Sequence, residues 1–128
     1  MSGNLIDTNI IIKLLNGDEG IARRFETLES VHIPVIAVGE LYYGANKSSR
    51  RKSNTKLFSD FIGEYPVLGI NPKVATAYGE VKYSLVKQGV NIPENDVWIA
   101  AIAVGSDMRL ITCDRHFENI PDLESVIW

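Results

Sequence analysis

Residues 96–114 read DVWIAAIAVGSDMRLITCD, and the two halves of this stretch follow different patterns. From Val97 to Val104 every residue is apolar, which suits a helix covered on all sides rather than one with a wet face. Arg109-Leu110-Ile111-Thr112 is then short and largely apolar, the mark of a buried strand, and Asp114 follows its end. A buried helix feeding a buried strand is the building unit of a parallel sheet covered by helices on both faces.

The same unit recurs on either side. Asn4-Leu5-Ile6 reads as a short buried strand ending at Asp7, and Asn9 to Asn16 as a helix closed by Gly17. Asp18 caps a second helix, whose Ile21, Phe25 and Leu28 fall on one face. His32 to Ile36 reads as a second strand, in which Pro34 predicts an edge or an irregular one, and a helix runs from about Val38 to Ala45. Lys47 to Ser53 is polar and basic, a loop or frayed helix end. Leu57, Phe58, Phe61 and Ile62 mark an amphipathic helix stopped near Pro66, with Val67-Leu68 as a weak third strand. Pro72 opens a long helix striped by Val74, Tyr78, Val81 and Leu85 and ended by Gly89, and Val126 to Trp128 is a short last strand. The expected fold is a three-layer α/β/α sandwich with a central, mainly parallel sheet of about five short strands, built as a single domain over residues 1–128.

Composition excludes several classes. A chain of 128 residues, 45% of them hydrophobic, can bury one core without disulfides. No apolar run approaches the ~20 residues of a membrane span. Met1 to Asn4 shows no basic, apolar signal segment, so the expectation is a cytoplasmic protein without membrane contact. The single cysteine, Cys113, excludes an internal disulfide and a cysteine zinc cluster, and reads as a small buried strand residue. Trp98 reads as core. Core packing explains most of Tyr42, Tyr43, Phe58 and Phe61, which otherwise form an apolar groove for a partner.

The net charge of −3 gives no simple hint of nucleic-acid binding, but the charges are unevenly placed. Lys47, Arg50, Arg51, Lys52 and Lys56 are crowded into one ten-residue stretch. The acids matter more. In an open parallel sheet ligands bind outside the carboxyl ends of the strands. Asp7 and Asp114 each follow a strand, Glu40 lies early in the helix after the second strand, and Asp96 starts the buried helix. Any one of them alone reads first as a helix cap. Four at one sheet edge would repel and raise each other's pKa unless a cation sat between them. An all-oxygen set of this kind suits Mg²⁺ or Mn²⁺ rather than zinc.

Leu5-Ile6-Asp7-Thr8-Asn9, Gly39-Glu40-Leu41, Asn95-Asp96 with Ile99-Ala100-Ala101, and Leu110 to Phe117 resemble PIN-domain ribonucleases, and among them the VapC-like toxins of type II toxin–antitoxin pairs. The resemblance covers the whole chain. It implies an acidic pocket of Asp7, Glu40, Asp96 and Asp114 that holds one or two divalent metals and hydrolyses RNA with an activated water and no side-chain nucleophile. The implied products carry a 5′-phosphate and a 3′-hydroxyl. Thr8, Asn9, Asn95 and Thr112 are positioned to orient the carboxylates. Glu94 and Glu118 read as solvated loop carboxylates. Many family members carry a further acid close to the last aspartate, and here Arg115-His116 occupies that stretch. Arg115 and His116, beside Asp114, suit the scissile phosphate; Arg50, Arg51 and Lys52 suit RNA phosphates further along. The resemblance also implies a homodimer and a cognate antitoxin that covers the site.

Two other classes are weighed against this one. A PIN-like module that binds RNA or protein without cutting would not need all four acids. A receiver-type phosphoacceptor domain would need paired acids after the first strand and a lysine ending the fifth, whereas Asp7 stands alone and Leu68 runs into Gly69-Ile70.

Overall fold

The structure is a computed structural model that describes residues 3–128. Met1 and Ser2, at the head of the segment read as lacking a signal sequence, lie outside the described residues.

Among the described residues the chain runs β1 (Asn4–Ile6), α1 (Thr8–Leu15), α2 (Glu19–Glu26), β2 (Val31–Pro34), α3 (Val35–Lys47), α4 (Arg51–Ile62), β3 (Val67–Leu68), α5 (Pro72–Gln88), α6 (Glu94–Gly105), β4 (Arg109–Thr112) and β5 (Ser125–Ile127). Every strand pairing is parallel, in the order β3-β2-β1-β4-β5. From β1 the chain steps outward through β2 to β3, then returns to the other side of β1 for β4 and β5. The order therefore reverses between β1 and β4, which opens a crevice at their carboxyl ends.

Alternation along these strands separates two cores. Leu5 and Leu110 pack with Val74, Val81 and Leu85 of α5 and with the apolar run of α6 from Val97 to Ala103. Ile6, Ile33 and Ile111 point to the opposite face, against Ile10, Ile11, Ala37 and Leu41 of α1 and α3. Both faces of the sheet are thus dry, which is the predicted sandwich. None of the helices among the described residues is long and apolar enough to cross a membrane.

Close packing of α5 on α6 depends on Gly105. A Cβ there would lie 2.9 Å from the Cα of Val74, so backbone would have to move. Gly105→Ala is expected to lower stability by about 1–3 kcal/mol in urea unfolding monitored by circular dichroism.

Several local readings are corrected. Val35 and Ile36 belong to α3, not to the second strand, because Pro34 closes the strand at the helix N-cap, where its missing N–H costs nothing. β2 is an interior strand, flanked by β3 and β1, not an edge. Lys47 ends α3 and Arg51 to Ser53 form the first turn of α4, so the loop or frayed helix end expected over Lys47 to Ser53 is confined to Ser48–Arg50. Residues Arg115–Asn119 fold as a short 3₁₀ turn that places Phe117 in the core. Cys113 is half-buried in the bend after β4, and Trp98 is half-buried, its ring stacked 3.9 Å from that of Tyr78. Phe61 is buried in an aromatic cluster with Phe25 and Tyr65, while Tyr43 stands 67% exposed, with the Lys47 ammonium 4.9 Å from its ring centre.

Candidate active site

The crevice between β1 and β4 collects the acids. Asp7 leaves the end of β1 and caps α1, its Oδ1 accepting from the Thr8 backbone N–H at 2.8 Å. Its other oxygen accepts from the buried Thr112 hydroxyl, at the end of β4, at 2.6 Å. Thr112 in turn accepts from the Asp114 backbone N–H at 3.0 Å. One threonine therefore links the acids that follow the two central strands.

Glu40 arrives from α3. Its carboxylate accepts from the Thr8 hydroxyl at 2.6 Å and from the Asn95 side-chain amide at 3.2 Å. Asn9 donates to Asp114 at 3.2 Å, while its own oxygen accepts from the Cys113 backbone N–H. Each of the four polar residues expected to orient carboxylates is thus bonded to an acid: Thr8 and Asn95 to Glu40, Asn9 to Asp114, Thr112 to Asp7.

Burial makes this arrangement costly in charge. Asp7 is only 3% exposed, and desolvation pushes its pKa up from 3.8 to about 6 despite the hydrogen bonds from Thr112 and Thr8. Asp96 and Asp114 add to the rise by repulsion. The Asp96 pKa is also raised, first by burial and then by Glu40 and Asp114, and His116 opposes the shift. Two carboxyls resist ionisation here for the same two reasons, and a divalent cation would relieve both. The donor set fits such an ion: one atom each from Asp96, Asp114 and His116 lie within 4.8 Å of one another.

Not every expected residue joins the cluster. Arg115 is exposed and pairs with Glu118 at 3.4 Å. Arg50, Arg51 and Lys52 lie beyond the far end of α3, which from Glu40 to Lys47 runs about 10 Å along its axis. Arg51 and Lys52 instead line an open groove with Asn46, Lys56 and Asp60. Glu94 is bonded to the Tyr78 hydroxyl and to Lys82. Sequence reasoning missed the approach of His116 to Asp96, at 3.1 Å. It also missed a cleft of about 410 Å³ beside Glu40, lined by Val35, Ile36, Gly39, Tyr43 and Asn95.

A switch-point crevice rimmed by these acids is the architecture of the PIN domain, and the profile of that family, described as "PIN domain", matches residues 5–123. The chain is 35% identical over 127 residues to Ribonuclease VapC2 of Haemophilus influenzae strain Rd, covering 97% of this chain and 96% of that protein. It is 31% identical, with the same coverage, to the tRNA(fMet)-specific endonuclease VapC of Salmonella typhimurium. Among solved structures, DNA-bound VapBC from Salmonella typhimurium superposes with a TM-score of 0.92 at 29% identity, covering 100% of this chain and 99% of that one. VapBC-1 from nontypeable Haemophilus influenzae gives 0.89 at 32%, over 98% and 97%. The chain belongs to the PIN-domain family and, within it, to the VapC ribonucleases.

Proposed function

We propose that the chain is a divalent-metal-dependent endoribonuclease and the toxin of a type II toxin–antitoxin pair, with Asp7, Glu40, Asp96 and Asp114 as its catalytic acids and Mg²⁺ or Mn²⁺ as the ion they hold. The observation that carries this reading is the pair of desolvated carboxyls, buried Asp7 and half-buried Asp96, each further raised by neighbouring carboxylates at the switch point of the sheet. Such charge is tolerated where a cation offsets it. When bound, the ion supplies an acidified water and positive charge against the oxygens of the scissile phosphate.

The protein's own groups do the holding. Thr112 and the Thr8 N–H fix both oxygens of Asp7, and Thr8 and Asn95 do the same for Glu40. Such hydrogen bonds keep each carboxylate aimed into the crevice before substrate arrives. The cleft between Glu40 and Tyr43 has room for one nucleotide of a single-stranded segment, and such segments are where RNA bases are free to be bound. Arg115 at the rim suits the phosphate near the cut, and Arg50, Arg51 and Lys52 suit phosphates further along the strand. With four of the 16 acids assigned to the pocket, the 13 basic residues outnumber the remainder, so a negative total is compatible with RNA binding.

Relatives solved as VapBC complexes support a cognate antitoxin as the second partner. A homodimer, a cytoplasmic location and a single PIN-like domain over residues 1–128 complete the proposal.

The test is cleavage of a broad RNA panel by the purified chain, freed of antitoxin. Cleavage is expected with Mg²⁺ or Mn²⁺ and none in excess chelator, with growth arrest on expression of the toxin alone. No cleavage under any metal condition, together with unimpaired growth, would refute the enzymatic reading. Arg51→Ala with Lys52→Ala is expected to weaken RNA binding for all sequences alike and to lower the salt dependence by roughly one unit of slope per lost phosphate contact, read by filter binding across salt.

A further inference from the structure

The family's acids account for the oxygen ligands, yet among the described residues one side-chain nitrogen of the crevice is shielded from solvent without an aligned hydrogen bond. His116 Nε2 lies 3.1 Å from Asp96 Oδ2, at ion-pair range, but it is shielded from solvent and out of line for any hydrogen bond. A charged imidazole paired simply with Asp96 would aim its N–H along that short contact. The observed nitrogen instead sits in the space that Asp96 and Asp114 also face. We propose that His116 is a nitrogen ligand of the divalent cation, so that the site is a mixed nitrogen–oxygen centre with a preference for Mn²⁺ over Mg²⁺. The proposal rests on the metal-dependent reading above.

Three features support it. The ligand atoms of Asp96, Asp114 and His116 fall within 4.8 Å of one another. Ligands about 2.1 Å from a common ion stand no more than about 4.2 Å apart, so slight side-chain adjustment closes the set. The ring is held in place: it meets the Phe117 ring edge-on at 4.6 Å, and Phe117 is fully buried on the 3₁₀ turn Arg115–Asn119. The ligand type also changes selectivity. Imidazole favours the later first-row ions over Mg²⁺, which strongly prefers oxygen and keeps its waters.

The chain holds only two histidines, His32 and His116, which makes the test clean. Mn²⁺ is titrated into tag-free protein released from antitoxin, and pulsed electron paramagnetic resonance reads coupling to a directly bound ¹⁴N. The expected result is nitrogen coupling in the parent protein and in His32→Gln, and its loss in His116→Gln. Mn²⁺ affinity of His116→Gln should fall by about tenfold or more, with Mg²⁺ affinity changing less. His116→Asp should bind Mg²⁺ at least as well as the parent and show no nitrogen coupling. Bound Mn²⁺ without nitrogen coupling in the parent, or unchanged Mn²⁺ affinity in a folded His116→Gln, overturns the ligand assignment and leaves the metal site standing. No Mn²⁺ binding at all by the parent overturns both.

Discussion

Asp96→Asn is expected to cut RNA about 10²–10³-fold more slowly than the parent protein while keeping its fold. The side chain opens α6 at the rim of the crevice, where Glu40, Asp114 and His116 all face it. Asparagine preserves shape and removes the negative charge, so the loss is in what holds the cation rather than in packing. Rates under single turnover with saturating RNA separate a loss of chemistry from a loss of binding. An unchanged far-UV spectrum and melting temperature exclude unfolding. A variant that cut as fast as the parent would remove Asp96 from the site.

Asp7→Asn is expected to lose activity in the same way and, in chelator, to make the protein more stable. The folded carboxyl holds its proton up to a pKa of about 6, whereas the unfolded one releases it near 3.8. Between those values the folded state binds more protons, so stability falls as pH rises through that window and levels off above it. Two pKa units correspond to roughly 3 kcal/mol, and asparagine removes that penalty. Urea unfolding in chelator should therefore show Asp7→Asn ahead of the parent by up to about 3 kcal/mol at pH 8, with the gap closing towards pH 4. Saturating Mn²⁺ should reverse the order, because only the parent gains the binding energy. A variant less stable than the parent at pH 8 in chelator would show that the Asp7 carboxylate is not a strained charge.

The strands could be read because those covered on both faces are short apolar runs, and an acid at the end of such a run falls at the sheet's rim. Asn4 to Asp7 and Arg109 to Asp114 were legible for that reason. The β2–α3 junction was less so. Ile33 to Ile36 is one apolar run with no internal mark of where strand becomes helix, and Pro34 fits an edge strand and a helix start equally well. Arg51 to Ser53 read as a loop or frayed helix end because its composition is polar, whereas it is the exposed first turn of α4, a helix that packs against α3 further along.

The gathering of Asp7, Glu40, Asp96 and Asp114 into one crevice follows from strand order, and strand order follows from the alternation of elements. His116 is different. Its approach to Asp96 depends on a 3₁₀ turn whose path is set by the burial of Phe117, and on α6 lying beside it. No spacing rule carries that information. The cleft beside Tyr43 was hidden for a similar reason, since it is a gap between α3 and the start of α6 rather than a motif on either.

End-group analysis of the cleaved RNA tests the central claim most directly. Attack by a water activated at the acidic crevice leaves a 5′-phosphate and a 3′-hydroxyl, with products formed by the parent and absent with Asp7→Asn, Asp96→Asn or chelator. Products ending in a 2′,3′-cyclic phosphate, or cleavage that persists in chelator, would mean that RNA is cut through its own 2′-hydroxyl without the carboxylate site, and would contradict it.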